Sequence, residues 1–539
     1  MMRHLFFIVF ILSTLCGFAQ DEYWFYLRTK DTATLNFKVE GDLLKYVGED
    51  KILKETLAKE KIKTFKKTLR KAKIRDLNRT YFVVANNANL HTKLLKDTPN
   101  IFISGEPILG EDKKIYEPND YGLTSTIGEN IGMQANLDYL DVLGLPEAWY
   151  YTTGSRDVPI GISDGQVNPN DIDFQGKTTL FNRSHYAGGH GVNIAANAAA
   201  QGDNGVGFTG VCFDCSIYGT SYGQFYNYSE VVGLAKAGAR VINCSWVSTR
   251  YIENGQKVMD SLFNEGVIVV AAAGNRDFSK TKGKVYSYPA SYRHVISVSS
   301  GMYRHEKPLD NILQLEDGTY YTSNLRGSVG RTMGFPKNDT LQTPFVYEVS
   351  TAILNTEVDI LAPTSELIMF QEFINKGEVA HHQFETTSGA TPLVSGTIGL
   401  MFSLYPCLTA EEVEPILKIT ALNIDDVPGN KKFAGLYGAG LLQTGKAIKL
   451  LHDLKNENET AYIENQNFNR WDFTAVGVSK EIVVRNQVFQ ENANLDIESK
   501  NRIRIGTNTV LKPNQNGKIK LRINPDLENE CNLRTRKNK

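Results

Sequence analysis

Glu385-Thr-Thr-Ser-Gly-Ala-Thr-Pro-Leu-Val-Ser-Gly396 runs directly into the apolar segment Thr397-Ile-Gly-Leu-Met-Phe-Ser-Leu-Tyr405. Threonine, glycine and proline early in the stretch suit a first helical turn, and the apolar run behind them is long enough for a core helix. Ser388 then stands at the start of a buried helix, beside backbone N–H groups that have no intrahelical partner and at the positive end of the helix dipole. Such a position suits a nucleophile whose reaction places negative charge on a neighbouring oxygen. It equally suits an ordinary serine N-cap. Partners elsewhere in the chain decide between the two.

Two partners lie upstream. Asp164 ends the apolar, strand-like run Val158-Pro-Ile-Gly-Ile-Ser-Asp-Gly-Gln-Val167. His190 opens an alanine-rich helix after glycines, in Ala187-Gly-Gly-His-Gly-Val-Asn-Ile-Ala-Ala-Asn-Ala-Ala-Ala200. Asp, His, Ser is one of the three chain orders known for the serine triad. Taken singly, each has a plain reading: a strand-end carboxylate, a helix-start histidine, a cap. Taken together, in strand–loop–helix settings, they point to nucleophilic acyl transfer.

The motifs resemble those of the subtilisin-like serine peptidases, the subtilase family. That family's Ser motif, Gly-Thr-Ser-Met-Ala-x-Pro-x-Val-x-Gly, is matched by Thr386 to Gly396, and its His motif, His-Gly-x-x-Val-Ala, by His190 to Ala195. Gly266-Val-Ile-Val-Val-Ala-Ala-Ala-Gly-Asn275 resembles the family strand that ends in the oxyanion-hole asparagine. The resemblance implies a catalytic triad of Asp164, His190 and Ser388, with Asn275 donating to the oxyanion. It also implies a substrate-binding rim of Ser245, Trp246, Val247, Ala273 and Gly274. The implied function is a secreted serine endopeptidase acting on proteins or peptides. Sedolisin-type acid peptidases share the Ser motif but carry a carboxylate where this chain has His190 and Asp where it has Asn275.

The chain departs from the family pattern at four places. Gly165, without a hydroxyl residue before it, follows Asp164. Thr386 stands for a glycine, which matters if that glycine uses positive φ. Gly389 stands for methionine, and Val247 for a glycine whose replacement narrows the cleft. None removes a catalytic group, yet they keep a second reading open: an inactive homologue acting as a protein-binding module.

Strand and helix signals alternate between Leu137 and about Lys449, as a parallel α/β sheet requires. The fold class expected is therefore α/β: a mostly parallel, subtilisin-like sheet with helices on both faces. A small α+β domain precedes it and a small all-β module follows. The expected division is a signal peptide at 1–20, a propeptide-like domain at 21–115, an exposed linker at 116–136, the peptidase domain at 137–455, and a β module with tail at 456–539. Residues 1–20 carry a basic start, an apolar core and a small-x-small cleavage pattern, so export is expected and the chain's own propeptide becomes a partner. In the first domain, the apolar spacing of Leu57, Ile62, Phe65 and Leu69 predicts that the helix from Asp50 continues through the basic stretch Lys59–Arg75. Residues 304–348 are expected to form a surface excursion.

With 539 residues, 41% hydrophobic, 22% charged and a formal net charge of −1, the chain can bury several cores. Nothing in that balance points to nucleic acid or an anionic membrane, and no run after residue 20 is long enough for a transmembrane segment. No cofactor is required. Asp171, Asp173 and nearby asparagines suggest calcium only as an alternative to a solvated acidic loop, since no EF-hand spacing is present. Cys212, Cys215, Cys244, Cys407 and Cys531 follow the leader. The odd number leaves one unpaired or paired between molecules. Cys212-Phe-Asp-Cys215 reads as a local disulfide or two packed thiols, and Cys244 as a core thiol.

Overall fold

The structure is a computed structural model. It describes residues 22–31, 35–41, 43–67, 79–108, 116–125, 132, 133, 135–165, 167–181, 189–223, 225–276, 283–346, 352–364, 367–370, 381–384 and 386–536. The expected signal peptide lies outside them. The chain forms two compact units, residues 1–113 and 114–539, so the C-terminal strands remain with the large unit.

The large unit is built on seven strands in the order Ile360–Pro363, Val295–Gly301, Ile268–Ala272, Val241–Cys244, Pro159–Ser163, Ser216–Thr220, Thr178–Leu180, all paired in parallel. Successive residues of one strand serve two cores, as the strand period demands. Val241 and Val270 pack with Ile398 and Leu400 of the Thr387–Leu404 helix, whereas Ile242 and Val269 pack with Val231, Leu234, Met259 and Leu262. Burial on both faces explains why these strands read as unbroken apolar runs. The first of them in sequence, Pro159–Ser163, is a central strand flanked by Val241–Cys244 and Ser216–Thr220, and from Val241–Cys244 the chain fills one side of the sheet outward in order. The carboxyl ends beside such a strand are where open α/β sheets place their ligands.

Every residue of the Thr387–Leu404 helix is buried. A helix apolar all round belongs inside a core, and small residues let it lie close to its neighbours. A Cβ on Gly396 would come within 2.6 Å of the Val211 Cβ and 2.8 Å of the Ala198 carbonyl oxygen. Cys212 and Cys215 form a disulfide against this helix, near Gly399. Cys244 is the buried free thiol among the described residues.

The C-terminal strands form a parallel coil of three faces. Thr460–Glu464, Glu481–Arg485 and Ile503–Ile505 stack on one face, and Asn467–Phe468, Val488–Glu491 and Val510–Pro513 on the second. Asp472–Gly477, Asn494–Ser499 and Lys518–Ile523 make the third. Phe468, Phe473 and Phe489 fill the interior. The corners are turned by Asn465, Asn486 and Asn508, all at positive φ, a conformation asparagine tolerates better than most residues. The Asn486 amide donates to Asn465 Oδ1 at 2.6 Å. Beyond the coil the chain returns to the parallel-sheet core, where Cys531 is bonded to Cys407 and the Arg534 N–H reaches the Leu404 carbonyl.

Two expectations are corrected in this unit, and the 304–348 excursion gains internal structure. The segment expected to be an exposed linker is buried at Glu117, Asp120 and Tyr121: the Asp120 carboxylate accepts from the Asp203 and Asn204 N–H groups and the Thr209 hydroxyl. Asp171 and Asp173 are buried too, not solvated, with Asp173 accepting from the Asn204 amide and the Phe208 N–H. The 304–348 excursion contains a four-stranded antiparallel sheet, Ile312–Gln314, Tyr320–Ser323, Thr332–Gly334 and Phe345–Val346, and Met333 is buried with Met302 and Leu325.

The small unit is an antiparallel sheet ordered Phe37–Glu40, Leu43–Tyr46, Ile62–Lys67, Thr80–Ala85, Tyr23–Thr29, Phe102–Pro107, with helices Lys51–Leu57 and Leu90–Asp97. The helix expected to run on from Asp50 stops at Leu57, and Ile62–Lys67 is a strand. Its register shifts between Ile62 and Thr64, so Ile62 and Phe65, three apart, both face inward. That irregularity imitates helical spacing in the sequence. The rest of the basic stretch lies outside the described residues.

Candidate active site

Asp164 follows the last residue of the central strand and is fully buried. Its Oδ1 lies 2.5 Å from His190 Nδ1 and accepts from the Gly165 N–H at 2.6 Å. A nitrogen this close to a carboxylate oxygen carries the proton, which leaves Nε2 as the basic nitrogen of a neutral imidazole. His190 is the first residue of the His190–Ala199 helix and is part-exposed. Burial alone would lower its pKa, but the hydrogen bond it donates to Asp164 and the charge of that carboxylate outweigh burial and raise it.

Ser388 is the second residue of its helix. It does not cap the helix. Thr386, in extended conformation at φ −143°, is the N-cap and its side chain accepts from the Gly389 N–H. The threonine that departs from the family glycine thus needs no positive φ and takes over the plain role open to Ser388. The Ser388 hydroxyl donates to the Ser245 carbonyl at 3.0 Å, and the Ser245 hydroxyl donates back to the Ser388 carbonyl at 2.9 Å. That carbonyl is available because its usual helical partner would be the N–H of residue 392, and Pro392 has none.

Asn275 lies just past the Ile268–Ala272 strand and is exposed. Its Oδ1 accepts from both the N–H and the hydroxyl of Thr387, at 2.8 and 3.0 Å, so the carboxamide is turned with Nδ2 on the opposite side. The same Thr387 hydroxyl accepts from the Gly274 N–H at 3.2 Å. Gly274 has φ +112°, and a Cβ there would come within 2.9 Å of Ile353, so this corner requires glycine. Asn275 and Ser388 are therefore brought together through the one residue between them in contact, Thr387.

Of the expected rim, Ser245, Ala273 and Gly274 are buried beside these groups. Trp246 is buried with its indole N–H on the Ser163 carbonyl at 3.0 Å, anchored instead of presented, while Val247 is exposed. Sequence reasoning missed Thr387 as the clamp on Asn275, although its place beside Ser388 was a signal. It also missed Tyr222, whose hydroxyl lies 3.2 Å from His190 Nδ1 and for which the sequence offers no motif. Among the described residues no group of three or more His, Cys, Asp or Glu side chains converges to hold a metal ion, and no helix is long and apolar enough to cross a membrane.

Residues 155–440 match the family model described as Subtilase family. Fervidolysin of Fervidobacterium pennivorans is 24% identical over 341 residues, covering 58% of this chain and 44% of that protein. Subtilisin DY of Bacillus licheniformis is 26% identical over 304 residues, covering 54% of this chain and 91% of that protein. The chain thus spans less than half of fervidolysin and nearly all of the shorter subtilisin. Among solved structures, the MycP3 protease from the type VII (ESX-3) secretion system aligns with a TM-score of 0.40 at 20% identity, covering 58% of this chain and 88% of that one. Because the family model takes in more than half of its residues, this chain belongs to the subtilase family of serine peptidases.

Proposed function

We propose that the protein is an exported serine endopeptidase that cuts peptide bonds with Asp164, His190, Ser388 and Asn275. The observation that carries this reading is the Asp164–His190 contact at 2.5 Å, on a sheet whose next-but-one strand, Ile268–Ala272, leads to Asn275, clamped to the residue before Ser388. Ser388 Oγ leaves the Ser245 carbonyl, gives its proton to His190 Nε2 and attacks the scissile carbonyl. The imidazolium then protonates the leaving amine, while Asp164 fixes the tautomer and stabilises the cation. The oxyanion is met by Asn275 Nδ2 and the Ser388 N–H at the helix start.

Export is supported by the leader-like residues 1–20 and by two cysteine pairs placed for disulfides, which persist in oxidising compartments. The small antiparallel unit is read as a propeptide that the enzyme removes. Val247, exposed where relatives carry glycine, restricts the side chains accepted next to the scissile bond. Casein hydrolysis by the purified chain and by Ser388→Ala tests the reading. Wild type should cleave, and the variant should be inactive and keep its N-terminal unit. Equal cleavage by both, or none by folded, propeptide-free wild type, overturns it.

A further inference from the structure

We infer that Tyr222 is the hydrogen-bond donor that holds the Asp164 carboxylate against His190, in place of the hydroxyl residue missing between Asp164 and Gly165. The inference rests on the reading of Asp164 and His190 as catalytic partners.

Asp164 is fully buried, its Oδ1 is met by His190 and the Gly165 N–H, and its Oδ2 is buried with no hydrogen-bond partner. A buried carboxylate oxygen without a donor is costly and leaves the group free to turn. The Tyr222 hydroxyl lies 3.2 Å from His190 Nδ1. Nδ1 has a single in-plane position, and its proton there is spent on Asp164, so it cannot also accept from tyrosine. The tyrosine proton is left for the Asp164 carboxylate, whose negative charge acts on Tyr222. Burial first, and then that negative charge, raise the Tyr222 pKa, so the hydroxyl keeps its proton throughout the neutral range.

The fold places the tyrosine there. Ser216–Thr220 pairs in parallel with Pro159–Ser163, Thr220 beside Ser163, and the Asp164 N–H donates to the Thr220 carbonyl at 3.3 Å. Tyr222 therefore leaves its strand at the level where Asp164 leaves the other. Its ring packs on Phe225 at 5.5 Å, Phe225 packs on Trp246 at 5.5 Å, and the Trp246 indole is fixed to the Ser163 carbonyl. The aromatic chain closes back onto the residue before Asp164. Tyr222 is a positioning residue: it acts on the reaction through Asp164.

The test compares Tyr222→Phe and Tyr222→Leu in the full chain. Three quantities are read: kcat and KM across pH, the His190 pKa by NMR titration, and the low-field proton resonance of His190 Nδ1–H. Phenylalanine keeps the ring and removes the donor, so kcat should fall about tenfold with KM unchanged. A carboxylate relieved of a donor attracts the imidazolium more strongly, so the His190 pKa and the acid limb should move up and the low-field resonance should shift. If Phe matches wild type in all three readouts while Leu is impaired, the ring only packs and the inference is overturned. If wild type proves unable to cleave or to react at Ser388, the peptidase reading falls instead. The NMR comparison of folded wild type and Tyr222→Phe still decides the hydrogen bond, an unchanged His190 pKa and resonance ruling it out.

Discussion

Ser245 and Ser388 are bonded twice, in opposite directions: the hydroxyl of each donates to the backbone carbonyl of the other, at 2.9 and 3.0 Å. One bond stands in for the helical hydrogen bond that Pro392 cannot supply, and the other parks the nucleophile. Ser245→Ala removes the first, together with the bond its hydroxyl accepts from the Asn243 amide at 2.8 Å, and leaves a buried carbonyl without a donor. The expected cost is about 1–2 kcal/mol of stability. Thermal and denaturant unfolding of the variant check it, and the Ser245 carbonyl remains to receive Ser388.

Asn275→Ala should lower kcat about 10²- to 10³-fold with little change in KM, the size of effect established for the oxyanion asparagine of subtilisin itself. Thr387→Val removes the hydroxyl that donates to Asn275 Oδ1 and accepts from Gly274 while keeping the backbone donor. A loss of about tenfold in kcat is expected. Because both changes act on one carboxamide, the double variant should be no worse than Asn275→Ala alone, and a double-mutant cycle on kcat reads this directly.

The raised pKa of His190 sets a pH profile. Neutral imidazole is the base, so kcat/KM should rise with pH through a value above the ordinary histidine range near 6.5. The sign for stability is the reverse. A histidine whose folded pKa is raised contributes stability that is complete below its unfolded pKa and is lost as pH rises through the folded one. Asp164→Asn should abolish the shift and reduce kcat by about 10⁴-fold, as in serine triads where the wrong tautomer results. A pH–rate profile with a matched NMR titration of His190 checks both.

The Cys407–Cys531 bond closes a separation of 124 residues around the whole C-terminal coil. Loop-closure entropy for a loop of that size corresponds to a stabilisation of up to roughly 5 kcal/mol, less whatever order the reduced unfolded chain retains. Cys407→Ser with Cys531→Ser should lower the unfolding midpoint and speed proteolysis of the tail. It should leave kcat near wild type, because Cys407 lies beyond the end of the Thr387–Leu404 helix opposite to Ser388. Calorimetry and limited proteolysis give the comparison.

Much of this was legible in the sequence, for physical reasons. Strands buried on both faces print unbroken apolar runs, so Pro159–Ser163 and Ile268–Ala272 fall within the strand-like runs Val158–Val167 and Gly266–Asn275. Asp164, His190, Asn275 and Ser388 are visible because each sits where a strand or helix changes direction, and turns leave glycine signatures. What could not be read is whatever depends on distant pairing. The bulge at Ile62–Thr64 gave a strand the spacing of a helix. Burial of Glu117–Tyr121 depends on the far-off Asp203–Thr209 loop. An all-β C-terminal module was legible as such, but its parallel coiling shows only in corner asparagines recurring about every 21 residues, too weak a repeat without the fold. Tyr222 belongs to the same class, since its role arises from two strands ending side by side.

The central claim is that Ser388 is a nucleophile activated by the Asp164–His190 pair. Reaction of the folded, propeptide-free protein with a fluorophosphonate probe, followed by peptide mapping, tests it most directly. The account predicts one phosphonate per chain, on Ser388, with the label lost in Ser388→Ala and strongly slowed in His190→Ala. Absence of labelling, or labelling at Ser388 that is as fast without His190 as with it, would contradict it.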